Sequence, residues 1–65
     1  MQYCFNCRKE YGFPMGKYIE KRICDMCGEE HQCFIVLSQF VFPPKYSSNP
    51  LALELYEKAK NRENN

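Results

Sequence analysis

The chain has 65 residues, a formal net charge of +1 and five cysteines. A chain this short buries only about 60% of its unfolded surface, so it forms one domain with a marginal core that needs a staple. Near-neutral charge excludes a protein that coats nucleic acid by charge alone, and an odd cysteine count excludes complete disulfide pairing within one chain.

Met1 is followed at once by Gln2, Tyr3 and Cys4, with neither the basic nor the apolar region of a secretion signal. The longest apolar run, Cys33 to Leu37, is five residues, whereas a membrane-spanning helix needs about 20. These features lead us to expect a cytoplasmic protein. In a reducing compartment paired cysteines read as metal ligands rather than disulfides. A secreted disulfide-bonded miniprotein is the alternative.

Residues 1–37 read as one unit, 38–48 as a connector and 49–62 as a C-terminal helix. Cys4-Phe5-Asn6-Cys7 opens the first unit. Arg8 to Tyr11 and Lys17 to Ile23 are predicted as short strands, joined through the turn residues Phe13-Pro14-Met15-Gly16 into a β-hairpin. That hairpin would lay Cys24-Asp25-Met26-Cys27 beside the first pair. Gln32 to Leu37, rich in aromatic and β-branched residues, is predicted as a third strand. Its run is continuously apolar, so both of its faces are expected to be covered.

Phe40, Val41 and Phe42 make the connector apolar before Pro43-Pro44 stops any helix. Lys45 to Ser48 reads as a loop. Asn49 is a good N-cap and Pro50 fits the first helical position, where its missing N–H costs nothing. Leu51, Ala52, Leu55, Tyr56 and Ala59 share one helical face, and Leu53 lies off it beside Lys60. Glu54 and Lys58 form an i, i+4 pair in the favourable order. Arg62 to Asn65 is expected to fray.

The chemistry is concentrated in Cys4, Cys7, Cys24 and Cys27, two C-x2-C pairs separated by sixteen residues. Zinc takes four ligands in a tetrahedron and accepts thiolate at about 2.3 Å. Two cysteines separated by two residues can turn both sulfurs toward one ion, while backbone N–H groups of the tight turn offset their charge. Gly28 suits the turn after the second pair; Arg8 occupies the equivalent place after the first. Metal binding would supply about 10 kcal/mol or more of folding free energy. Four thiolates leave no open position for a catalytic water, so one structural Zn2+ and no enzymatic activity are expected. Iron is the runner-up metal. His31 and Cys33 are alternative ligands; the simpler reading places Cys33 in the core and His31 in a turn.

These pairs, with Gly28 and a turn between them, resemble the zinc-ribbon superfamily over residues 3–37. The resemblance implies a small metal-stabilised α+β fold with two knuckles, about three short antiparallel strands and, here, an added C-terminal helix. The rubredoxin pattern differs, because Arg8 and Met26 stand where rubredoxins carry glycine and proline. Short anti-sigma proteins of the Gin type also pair two such knuckles with a helical C-terminal segment, and Gly16 to Ile19 leading to Ile23-Cys24-Asp25-Met26-Cys27 is similar to them. The later helix start and Pro43-Pro44 depart from that pattern.

Two binding modes follow. Leu51, Leu53, Leu55 and Tyr56, together with the apolar connector, offer a surface for a protein partner, as in an adaptor or regulator of the transcription or nucleic-acid machinery. Alternatively, Arg8, Lys9, Lys17, Lys21 and Arg22, interleaved with Tyr3, Phe5, Tyr11, Phe13 and Tyr18, would hold single-stranded DNA or RNA directly. The plain alternative for these aromatics is that they are the core itself.

Overall fold

The structure, a computed structural model, describes residues 1–44 and 49–63. The loop reading of Lys45 to Ser48 and the end of the fraying tail, Asn64-Asn65, lie outside the described residues. The elements are β1 (Gln2–Cys4), α1 (Phe5–Tyr11), β2 (Tyr18–Ile23), β3 (Glu30–Ile35), a single 3-10 turn at Ser38–Phe40, and α2 (Ala52–Glu63). The three strands form one antiparallel sheet in the order β1-β3-β2. This is a small α+β fold with a C-terminal helix, as the sequence suggested.

The expected hairpin is corrected. Arg8 to Tyr11 is not a strand; it belongs to α1. Arg8, Lys9 and Glu10 are good helix formers, and the turn begun at the first cysteine pair runs straight on into them. Gly12 ends the helix in the left-handed region at φ 71°, where a residue without Cβ sits at no cost. The N–H groups of Gly12 and Phe13 both reach the Arg8 carbonyl. The sheet partner of β2 is therefore β3, with Tyr18 opposite Ile35 and Ile23 opposite Glu30. The turn that joins them carries the second cysteine pair.

β3 is the central strand and begins two residues earlier than predicted, at Glu30. Its apolar half is the inner one: Cys33 and Phe34 are buried, while Leu37 lies beyond the strand and is exposed. On its other side β3 pairs with β1, Tyr3 opposite Phe34 and Cys4 opposite Cys33. Met1 continues this pairing, donating its terminal N–H to the Val36 carbonyl at 2.8 Å and accepting the Val36 N–H at 2.9 Å.

The core is aromatic because the sequence offers few aliphatics before Ile19. Tyr3 is fully buried, 4.8 Å from Phe13 in an edge-on arrangement, and its hydroxyl donates to the Pro14 carbonyl at 2.6 Å. Tyr11 and Phe34 complete the cluster. Such pairs add about 1 kcal/mol each beyond their burial.

α2 closes over this cluster. The Asn49 side-chain oxygen accepts the Leu51 N–H at 2.9 Å, as a cap does, and α2 begins at Ala52. Ala52, Tyr56 and Ala59 are buried at i, i+4, i+7 spacing, and Leu55 packs partly against them. The Tyr56 ring stacks toward Phe13 at 6.4 Å, and its hydroxyl donates to the Val41 carbonyl at 2.8 Å. Leu51 departs from the predicted face: it sits in the turn before α2 and is exposed. The connector alternates, with Val41 buried and Phe40 and Phe42 exposed.

Candidate metal centre

Each of the four cysteines is placed by the end of an element. Cys4 ends β1, Cys7 lies in the first turn of α1, Cys24 follows β2, and Cys27 lies in the turn before β3. Their sulfurs all lie within 4.8 Å of one another, and those of Cys7 and Cys24 are 3.6 Å apart. A tetrahedral ion with thiolate bonds of about 2.3 Å sets its sulfurs about 3.8 Å apart. The cluster therefore fits one structural metal ion. Cys4, Cys7 and Cys24 are buried, while Cys27 is exposed.

The second pair makes the expected knuckle. Gly28 turns it at φ 76°, and the Gly28 N–H reaches the Cys24 carbonyl at 2.9 Å. Cys24 Sγ accepts N–H groups from Cys4 at 3.4 Å, Met26 at 3.4 Å and Cys27 at 3.5 Å. The first pair needs no glycine because Arg8 continues a helix instead of reversing the chain.

These surroundings set the thiol chemistry. Burial raises the Cys24 pKa, but the N–H groups of Cys27, Cys4 and Met26 outweigh it, and the net shift is downward. Cys7 is pushed well above the usual thiol range, by burial first and then by Cys4 and Cys24 beside it. Cys27, exposed on its outer side, is pushed up to about 11 by partial desolvation and then by its Cys24 and Cys4 neighbours, against the Glu29 N–H. Without a cation the four sulfurs cannot all be thiolates. A divalent ion replaces the protons, so its binding releases them.

Asp25 is a positioning residue that sequence reasoning missed. Its Oδ2 accepts the Gln2 N–H at 2.8 Å, its own N–H reaches the Gln2 carbonyl at 3.0 Å, and its Oδ1 accepts from Arg62 in α2. It thus ties the second knuckle to β1 and to the helix. An aspartate between paired cysteines was the available signal, but its partners are remote in sequence.

Cys33 is outside the four-cysteine group. It is fully buried and directs its thiol at the Arg22 and His31 carbonyls, at 3.5 and 3.3 Å. His31 is not in a turn, because β3 starts earlier than expected and includes it; it is exposed, with Nε2 3.2 Å from a Glu29 carboxylate oxygen.

The basic residues do not gather on one hairpin. Arg8 and Lys9 lie on α1, Lys17 just before β2, and Lys21 and Arg22 on β2. Arg22 is held by Glu20 at 2.6 Å, Lys21 lies 3.7 Å from Glu30, and Arg8 reaches the Phe13 carbonyl at 3.5 Å. Of the interleaved aromatics, Tyr3, Tyr11 and Phe13 are core, while Phe5 and Tyr18 remain exposed. Of the residues proposed to meet a protein, Tyr56 is buried and Leu55 half-buried, whereas Leu51 and Leu53 are exposed.

Comparison of the chain with known protein families, with curated proteins and with solved structures gives no match. Among the described residues, no helix is long and apolar enough to cross a membrane.

Proposed function

We propose that the cysteine cluster holds one structural zinc ion, and that the domain it staples is an adaptor, not an enzyme, that docks on a protein partner. Four clustered thiols, three of them buried, suit zinc, whose full shell leaves no position for substrate. The resemblance of the two knuckles to zinc ribbons points to the transcription or nucleic-acid machinery as the class of partner.

One observation carries the docking reading. Phe42 and Leu53 are 64% and 52% exposed and flank a groove of about 580 Å³ between the connector and α2. Its floor is Val41 and Tyr56, fixed by their hydrogen bond, and Glu57 and Lys60 also line it. A rigid apolar floor with charges beside it suits a protein segment presenting an apolar side chain. Direct nucleic-acid binding is the weaker reading, because three of its aromatic platforms are spent on the core and three of its cations have partners within the chain.

The test is capture of partners from the native cells by zinc-loaded protein, with and without nuclease. The expected result is a protein that survives nuclease and is lost with Leu53→Glu, while circular dichroism and zinc content stay unchanged. Recovery of nucleic acid that is unaffected by Leu53→Glu but lost with Lys21→Glu would overturn it.

A further inference from the structure

Cys27 belongs to two clusters. Its sulfur closes the four-cysteine group, and on its outer side it lies within 4.8 Å of a Glu29 carboxylate oxygen and a His31 ring nitrogen, which also lie within that distance of each other. We infer that Cys27, Glu29 and His31 form a second, solvent-facing site for a zinc-like divalent cation, joined to the first through a shared Cys27 sulfur. The inference rests on the first ion being present.

The donor set fits. A thiolate keeps lone pairs after binding one ion and can bridge to a second. Imidazole nitrogen and carboxylate oxygen are the other donors that zinc accepts, and three protein ligands with water in the fourth place make a complete tetrahedron. Softness of this mixed S, N, O set favours zinc or cobalt over magnesium or calcium.

The local charge also fits. Four thiolates around one divalent ion leave negative charge unbalanced, and Glu29 adds to it. Arg22 stands opposite His31 in the register, and its guanidinium is already held by Glu20. The side chains of Glu29 and His31 are 73% and 44% exposed, so an ion from solution can reach both. The geometry needs only a small closure, since His31 Nε2 already stands 3.2 Å from Glu29. An exposed site of three ligands binds more weakly than the enclosed one and exchanges with solution.

Zinc titration of the untagged chain, followed by native mass spectrometry in the presence of a chelator of moderate strength, separates the two ions. The wild type is expected to retain one zinc against the chelator and to take a second as zinc rises. His31→Ala and Glu29→Gln should each keep the first zinc and lose the second, whereas Glu30→Gln should keep both. Saturation of the wild type at one zinc, or a second zinc retained by His31→Ala and Glu29→Gln, would overturn the inference. Failure of the wild type to hold even the chelator-resistant zinc would remove the four-cysteine reading itself, and is told apart by the missing first ion.

Discussion

Asp25, beside the metal-site residue Cys24, meets Arg62 near the end of α2 across a separation of 37 positions. The aspartate side chain is only 8% exposed and also satisfies the Gln2 N–H. Removing it strands a part-buried donor, which costs about 1 kcal/mol or more. Arg62 is mostly exposed, and its loss removes little more than a surface pair, below about 1 kcal/mol. Urea unfolding of metal-loaded Asp25→Ala and Arg62→Ala should therefore show unequal losses, the aspartate variant being the weaker protein. Equal losses would mean that the ion pair, not the Gln2 contact, is what Asp25 contributes.

Removal of the metal should unfold the domain. The sheet and α1 meet at the four sulfurs, and a core this small cannot make up for a contribution of about 10 kcal/mol. A chelator titration watched by circular dichroism should show loss of helix and sheet together. Cys24→Ser should fail to hold the ion more completely than Cys27→Ser, since Cys24 is buried and gathers three N–H groups.

The Tyr3 hydroxyl is pushed up to about 12 from its ordinary 10.0, by burial first, with Arg8 opposing. The unfolded chain thus loses this proton before the folded one does. Stability from Tyr3 is whole below pH 10.0 and is lost as pH rises toward about 12. Tyrosinate absorbance of the native protein should show one late-titrating tyrosine, absent in Tyr3→Phe. An unchanged late step in that variant would assign it elsewhere.

Buried and exposed residues around the groove should respond unequally. Tyr56→Ala empties a core position and breaks the bond to Val41, a loss of about 3–5 kcal/mol. Leu53→Glu and Phe42→Ser alter exposed side chains and should stay within about 0.5 kcal/mol of wild type. Thermal melts of the metal-loaded proteins distinguish them.

Much of this was legible from local spacing. The C-x2-C pairs set the four-cysteine cluster, Asn49 marked the cap before the last helix although Pro50 and Leu51 lie in a turn and α2 begins at Ala52, and the placement of Cys33 in the core followed from its apolar neighbours. Arg8 to Tyr11 misled because a short segment beside a cysteine pair carries little periodicity, and the decisive residue was Gly12, one place beyond it. The face of α2 was read correctly at Ala52, Tyr56 and Ala59, while Leu51 fell outside because the cap delays the first helical turn. The Asp25–Arg62 tie was invisible, since no local pattern links residues so far apart.

The order β1-β3-β2 also governs how the chain comes to be folded. The first strand has no neighbour until the last has been synthesised, so Cys4 and Cys7 wait, unsheltered, for Cys24 to Ile35 to emerge. The β2–β3 hairpin also waits for that last strand, and its turn carries only two of the four clustered sulfurs. Capture of the ion and closure of the sheet thus become a single late event. Any shortened form that ends before Ile35 should be a substrate for proteases rather than a smaller working domain.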